Sequence, residues 1–142
     1  MNQTNTSPQV GDIERKTQNR LVKVFKDRLD YDYLGNWEDR EENSNIEEEY
    51  LRAFLVEQKK YSEKVIDKAI AEFKKTAENQ VLNLYDLNKE VYGLLRYGVK
   101  IRETLGENTQ TVYLIDWEEP ENNHFAIAEE VTIKGNRTKR PD

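Results

Sequence analysis

The sequence contains no cysteine and only one histidine, His124, in 142 residues. The absence of cysteine excludes disulfides, thiolate nucleophiles and sulfur-ligated zinc, and it fits a reducing cytoplasm. No apolar run approaches the ~20 residues of a membrane span, and the N-terminus lacks the apolar core of a signal peptide. No glycine-rich nucleotide-binding loop or nucleophile elbow is present. We therefore expect a cytoplasmic protein with no membrane contact and no nucleotide-hydrolysing site within this chain.

Charge is abundant and unevenly distributed. Charged residues make up 35% of the chain and hydrophobic residues 36%, with a formal net charge of −6. The segment from Glu38 to Glu49 holds seven acids and one base, and outside it acids and bases are equal in number. The C-terminal end is basic, carrying Lys134, Arg137, Lys139 and Arg140 before Asp142. The overall acidity is therefore a poor guide to partners, because the two charge types lie in different segments.

The order of elements predicts an α+β domain over residues 12–142, preceded by a flexible polar tail over residues 1–11. Apolar periodicity and capping residues indicate four helices followed by the strands. These are a helix from Ile13 to about Leu29 capped by Asp12, a second from Ser44 or Asn45, a third capped by Ser62, and a fourth from about Val81 to Tyr97, ended by Gly98. Leu84, Leu87, Val91, Leu94 and Leu95 form the predicted buried stripe of the fourth helix.

Branched and aromatic residues in the last third of the chain predict strands over Val99–Arg102, Thr111–Trp117 and Phe125–Ile133. We expect the last of these to pair back on its predecessor as an antiparallel hairpin. Tyr31–Trp37, which contains Gly35, is interpreted as an aromatic loop. The sheet is expected to be incomplete where the sequence ends.

The last residues combine a carboxylate with bases: Asp142 follows Lys139 and Arg140. A carboxylate can hold a hard cation while nearby bases meet phosphates, as metal-assisted attack on a phosphodiester requires. The alternative is that these are solvated surface charges.

The fourth predicted helix carries a second stripe, formed by Tyr85, Asn88, Tyr92 and Arg96. Such a stripe can lie along a nucleic-acid backbone, with tyrosines stacking and arginine pairing with phosphate. Alternatively, the tyrosines pack against the preceding helices and Arg96 is solvated. Glu90, on the same helix, is an ordinary exposed residue unless the helix faces a metal.

Other acids also have two interpretations. Glu129 and Glu130 interrupt an apolar strand on opposite faces, so one of them needs a partner, either a salt bridge or a metal. Asp116 to Glu119, at the end of a strand, is interpreted as structural, and His124 as a turn residue.

Several ordered blocks resemble the N-terminal opening of the restriction (R) subunits of type I restriction-modification enzymes. They are Asp12–Arg20, Tyr33–Arg40, Asn45–Glu47, Leu84–Tyr92, Leu95–Val99, Leu114–Trp117, Phe125–Thr132 and Lys139–Asp142. The final block matches the proline-aspartate of a PD-(D/E)xK nuclease, so the resemblance implies a nuclease-like mixed β-sheet after the N-terminal helices.

The resemblance further implies a type I site-specific deoxyribonuclease that cleaves double-stranded DNA with Mg²⁺. In the full-length protein an ATP-driven motor translocates DNA, and modification and specificity subunits choose the site. Carried over to this sequence, Asp142 is the catalytic metal ligand, with Glu90 and Glu130 as lesser candidates. The DNA-binding candidates are Lys139, Arg140, Arg96 and Tyr92.

The sequence departs from the family pattern in one respect: it ends before the strand that brings the Glu-x-Lys pair. We therefore expect a truncated domain that is inactive alone. Two other functions stay open. The chain could be a non-catalytic assembly module whose Glu38–Glu49 segment binds a basic partner, or a DNA-binding module that uses Arg96, Lys139 and Arg140.

Overall fold

A computed structural model describes residues 10–133 of the chain, and the predicted α+β class is confirmed in them. In chain order the regular elements are α1 (Val10–Asp27), β1 (Asp32–Asn36), α2 (Glu48–Glu57), α3 (Glu63–Ala77), α4 (Leu84–Tyr97), β2 (Val99–Ile101), β3 (Gln110–Val112) and β4 (Ala126–Glu129). They form two compact units. Unit 1 comprises the described residues 10–43 and 125–133, and unit 2 is Ser44–His124.

Unit 1 is a parallel pair of strands with one helix. β1 pairs with β4 in a register that places Asp32 opposite Ala126 and Asn36 opposite Glu129. The register shifts between Tyr33 and Gly35, and Gly35 has a φ of +96°, which glycine adopts without steric cost. α1 contacts both strands. Three aromatic rings complete this packing, with the Tyr31 ring centroid 5.0 Å from Phe25 and 5.2 Å from Phe125.

Unit 2 begins with three helices whose boundaries follow local chemistry. The Ser62 side chain accepts a hydrogen bond from the Val65 amide at 3.2 Å and caps α3. The Asn83 side chain accepts one from the Asp86 amide at 3.0 Å and caps α4. The predicted cap at Ser62 and the predicted stop at Gly98 are both confirmed, since Gly98 follows α4 with a φ of +80°.

The core of unit 2 lies between α2, α3 and the antiparallel hairpin of β2 and β3. Its fully buried side chains are aliphatic: Leu55, Val65, Ile66, Ile70, Val99 and Val112. α4 covers this core incompletely, because Val91, Leu94 and Leu95 contact it while remaining partly exposed. The prediction that Leu84 is buried is wrong: it is 72% exposed in the first turn of α4, whereas the core contacts come from later turns.

The predicted pairing of the last strand is wrong. β4 pairs with β1 in parallel, not with β3 as an antiparallel hairpin, and β3 pairs with β2. Tyr31–Trp37, interpreted as a loop, contains β1. The reason is tertiary, because hydrogen bonds to β4 make an extended strand from a glycine-containing segment with little local strand signal. Three helix starts also differ. α1 begins at Val10, which puts Asp12 in its first turn, α2 begins at Glu48, and α4 begins at Leu84 and not near Val81.

Candidate nucleic-acid interface

The structure places the predicted site residues in three groups. Asp142, Lys139 and Arg140 lie outside the described residues. Glu130 follows β4 in unit 1, and Glu90, Tyr92 and Arg96 belong to α4 in unit 2. Within the described chain, therefore, only the α4 residues share an element.

Each of the two glutamates at the end of β4 accepts a hydrogen bond from an uncharged side chain. The Tyr33 hydroxyl donates a hydrogen bond to Oε2 of Glu129, and this bond raises the pKa of Tyr33. The Gln18 amide donates to Oε1 of Glu130 at 2.8 Å. Glu130 has a φ of +56°, so the strand alternation that predicted opposite faces for this pair does not extend to it. The expected partner of Glu129 was a salt bridge or a metal, and the structure shows a hydrogen bond from Tyr33.

The tyrosines of the second α4 stripe do not pack against the preceding helices. Tyr85 is 76% exposed and Tyr92 is 62% exposed, so that interpretation is wrong for both. Glu90 is also exposed, and within residues 10–133 it forms no hydrogen bond or ion pair. Arg96 is exposed but not isolated, because its guanidinium carbon lies 5.2 Å from the ring centroid of Trp117. This face of α4 is therefore available to a partner.

Arg96 also lines a cleft of about 680 Å³ within unit 2. Its floor includes the buried Phe54, and its walls carry aromatic and cationic side chains. The aromatic and cationic residues of the walls are Lys60, Tyr61, Arg96, Tyr113 and Trp117. The lining also includes the acids Asp116 and Glu118, so its positive and negative charges are equal in number. The cleft thus combines π faces with two cations, and these features can meet the bases and phosphates of a nucleotide.

Hydrogen bonds fix the aromatic walls of the cleft. The Trp117 indole donates to the carbonyl oxygen of Leu95 at 2.9 Å, which ties the ring to the last turn of α4. The Tyr61 hydroxyl accepts a hydrogen bond from the Tyr113 amide at 3.1 Å. Nevertheless, Trp117 remains 49% exposed and Tyr113 52% exposed. The rings of Trp117 and Tyr61 are thus held through their own polar atoms, and that of Trp117 is still open to solvent.

The loop that carries Trp117 is organised around Asp116. Oδ1 of Asp116 accepts hydrogen bonds from the amides of Glu118 and Glu119 at 3.2 and 2.9 Å, and Oδ2 accepts one from the Asn122 side chain at 2.9 Å. Asn123 closes the loop by accepting from the Asp116 amide and donating to the Asp116 carbonyl, both at 2.8 Å. The interpretation of Asp116 as structural agrees with these contacts.

These contacts stabilise the ionised form of Asp116. The hydrogen bond from Asn122 lowers the pKa of Asp116 most, followed by the backbone amide of Glu119. Lys60, on the cleft wall, adds a smaller electrostatic contribution in the same direction. The carboxylate is therefore ionised at neutral pH and serves as an acceptor that holds the loop.

Comparison with known families identifies the chain. Residues 13–142 match the family described as Type I restriction enzyme R protein N terminus. The chain belongs to this family. No curated protein and no solved structure matches the sequence significantly. The R-protein resemblance found in the sequence is thus confirmed over nearly its whole length.

The R-protein family suggests a metal-dependent nuclease in general, so acids of the described chain are candidate ligands. Within residues 10–133, however, no group of three or more His, Asp or Glu side chains could hold a metal ion. Glu90 and Glu130 belong to different units, and Glu130 is bonded to Gln18. The described part of this R-protein N terminus therefore shows no metal site of its own. Nor does any helix in that part have the length and apolarity to cross a membrane.

The acidic segment also has an internal role in this R-protein chain. Glu48 pairs with Lys74 of α3 at 2.7 Å, which links α2 to α3, and with Arg52 of its own helix at 3.6 Å. The hydrogen bond from Lys74 is the main cause of a lowered pKa of Glu48. At least this member of Glu38–Glu49 is therefore engaged within unit 2.

Most residues that line the cleft of this R-protein N terminus could not be identified from the sequence. The helical stripe points to Arg96, but no pattern points to Lys60, Tyr61 or Tyr113, and Trp117 stands out only as part of an acidic strand end. These residues come from three separate segments, so no periodicity connects them. The available signal is a tryptophan between acids with two asparagines nearby, a composition typical of a structured turn.

The contacts of Asp116 predict a stability effect that depends on pH. Because its folded-state pKa is depressed, its stabilisation is complete above the unfolded-state pKa of about 4 and is lost as pH falls through the lower folded value. We expect Asp116→Asn to lower Tm at pH 7, and the difference from wild type to vanish towards pH 2. Thermal unfolding monitored by circular dichroism would measure this. Glu118→Gln is the matched control, since that side chain forms no hydrogen bond within the described chain; a pH-independent deficit for Asp116→Asn would contradict the prediction.

Proposed function

We propose that this chain is part of the DNA-cleaving subunit of a type I restriction enzyme and supplies one ligand of its magnesium site. The observation that carries the proposal is the family match, which runs to residue 142 and includes Pro141-Asp142. Asp142 is the proposed catalytic metal ligand. Glu90 and Glu130 remain lesser candidates for a second ligand beside it.

In this proposal the chain also contacts double-stranded DNA. Lys139 and Arg140 neutralise phosphates beside Asp142, and Arg96 with Tyr92 forms a further contact on α4. The exposure of Arg96 and Tyr92 supports their part, because both side chains can reach a partner without rearrangement. ATP-driven translocation and site choice belong to other parts of the enzyme, namely the motor of the full-length subunit and the modification and specificity subunits.

The catalytic assignment predicts two separable results. The 142-residue polypeptide with Mg²⁺ is expected not to nick supercoiled plasmid, because, of the three catalytic groups of the nuclease pattern, the resemblance assigns only Asp142 to it. In the complete enzyme, Asp142→Asn is expected to abolish cleavage but preserve DNA-stimulated ATP hydrolysis, because metal binding at the nuclease site is lost and the motor is not. Agarose-gel cleavage and phosphate-release assays would measure the two activities.

The matched control for the loss of one negative charge is Asp12→Asn, because Asp12 is an acid in the first turn of α1. The enzyme carrying this substitution should cleave DNA normally. Nicking by the 142-residue polypeptide that disappears in Asp142→Ala would overturn the expected inactivity. Full cleavage by Asp142→Asn in the complete enzyme would overturn the ligand assignment.

The alternative is a non-catalytic module for DNA binding or subunit assembly. Salt-dependent duplex binding that weakens when Lys139, Arg140 and Arg96 are changed to glutamine would support direct binding to DNA. Neutralising each base that binds a phosphate should reduce the slope of log K against log salt by about 0.9. Indifference to DNA, with co-purification of the modification and specificity subunits, would instead support assembly.

A further inference from the structure

We propose that the cleft of unit 2 binds an unstacked nucleotide of single-stranded DNA. This inference rests on the proposed DNA function, but it assigns a separate site and a different form of DNA. The ring of one base would stack on the exposed face of Trp117 or Tyr113, and the neighbouring phosphates would meet Arg96 and Lys60. Duplex DNA does not fit this description, because its bases are already paired and stacked.

Two aromatic faces of the cleft are exposed, and the ring of Trp117 is also held. Trp117 and Tyr113 expose about half of their surfaces. The indole NH of Trp117 anchors its ring to Leu95, whereas the hydrogen bond from the Tyr113 amide to Tyr61 fixes the Tyr113 backbone. A ring that is already fixed loses little conformational freedom on binding, which favours affinity. Base stacking on such rings tolerates every sequence, because every base has a π face.

The two cations of the cleft have no ion-pair partner in the described chain. Within residues 10–133, neither Arg96 nor Lys60 forms a hydrogen bond or an ion pair. Of the two acids in the lining, Asp116 accepts three hydrogen bonds, including one from Asn122, and Glu118 forms no ion pair with either cation. The guanidinium of Arg96 lies over the Trp117 ring, so one group can bind a phosphate beside a base stacked on the other. Both cations therefore have bonding capacity for an external anion.

The volume of the cleft also fits this ligand. A volume of about 680 Å³ lies within the range of roughly 300–1,000 Å³ that is typical of small-molecule sites. It suits one or two nucleotides, not the paired strands of a helix. The cleft also lies wholly within unit 2, so the site depends on the fold of that unit alone.

The test uses the intrinsic fluorescence of Trp117. The chain has two tryptophans, Trp37 and Trp117, so Trp37→Phe leaves Trp117 as the only reporter. Titration of this variant with an unlabelled thymidine oligonucleotide is expected to quench the fluorescence, whereas a duplex of equal length should quench it less. Stacking on an aromatic ring contributes enough that Trp117→Ala should weaken single-strand binding by about 5- to 150-fold, measured by anisotropy of a labelled oligonucleotide.

Second variants keep the proposal testable if Trp117→Ala fails to fold. Trp117→Phe retains a ring and should retain most of the binding, and Arg96→Gln with Lys60→Gln should lower the single-strand salt slope by about 0.7 for each cation removed. The controls are Tyr97→Ala and Lys89→Gln, both on α4 and outside the cleft lining. Unchanged circular dichroism melts would show that each variant is folded.

Each outcome has a distinct meaning. Selective loss of single-strand binding in the cleft variants, with the controls unchanged, supports the proposal. If duplex binding persists while single strands neither bind nor quench Trp117, the cleft assignment fails and the proposed DNA function stands. If no DNA of either form binds, both fail. If Trp117→Ala instead disrupts co-purification with the other subunits, the cleft is a protein-docking site and the proposal is overturned.

Discussion

Replacement of Leu55 by alanine is expected to lower the free energy of unfolding by about 2–5 kcal/mol. Leu55 is fully buried in α2 and contributes to the cluster formed by α2, α3 and the β2–β3 hairpin. The loss combines the transfer of the removed methyl groups with the cavity that stays behind, since the side chain of Leu55 is completely buried. Urea unfolding followed by far-ultraviolet circular dichroism would measure it.

The matched control is Leu105→Ala, the same chemical change at a fully exposed position between β2 and β3. It should alter the free energy of unfolding by no more than about 0.5 kcal/mol. Equal effects of the two substitutions would mean that unit 2 does not have its core where the structure places it.

Two glycines near the end of α4 are expected to respond in opposite ways to alanine. Gly98 has a φ of +80° and a ψ of 172°, a conformation that is almost restricted to glycine. An added Cβ would lie 2.6 Å from Cγ2 of Thr111 and 2.8 Å from the carbonyl oxygen of Val112. Gly98→Ala should therefore destabilise by about 1–3 kcal/mol through backbone strain, with a further loss from displacement of β3.

Gly93→Ala is the control, and its expected effect has the opposite sign. Gly93 lies inside α4, and a Cβ there would meet no atom within 4 Å. Alanine should stabilise the helix by about 0.5–1 kcal/mol, because it restricts the unfolded chain and adds no clash. Thermal and urea unfolding of both variants would measure the contrast. A stable Gly98→Ala protein would show that the junction between α4 and β2 has another geometry.

The sequence predicted well those elements whose signals are local. Ser62 caps a helix whose apolar face, including Val65, Ile66 and Ile70, matches the buried face of α3. Gly98 ends α4 because its conformation is incompatible with a side chain. In both cases residues within a few positions of one another determine the structure, so spacing alone is informative.

The strand pairing was not predictable in the same way. Consecutive strands usually pair, which favoured a hairpin between β3 and β4. The structure pairs β4 with β1 instead, and β1 has a glycine and a bulge where a regular strand would alternate. Its extended form depends on hydrogen bonds to a segment far away in sequence, and no local pattern records that dependence.

In the candidate site, too, some features follow from local sequence and others depend on the tertiary fold. The exposed stripe of Tyr92 and Arg96 followed from helical spacing, whereas the cleft around Arg96 required the fold. Trp117 approaches Arg96 only because Asp116, Asn122 and Asn123 close a loop at the end of α4. The assignment of Asp142 stays a prediction that rests on the family, because the residue lies outside the described part of the chain.

The discontinuity of unit 1 has a consequence for the order of folding. Its helix and first strand precede unit 2 in the chain, and β4 follows it. During synthesis, β1 therefore cannot pair with β4 until the whole of unit 2 has been made. Because unit 2 is contiguous and rich in nearby helical contacts, it can fold first, and its collapse shortens the effective loop that the β1–β4 pairing must close. In the interval β1 presents an unpaired strand edge, so the nascent chain is most vulnerable to aggregation just before β4 emerges.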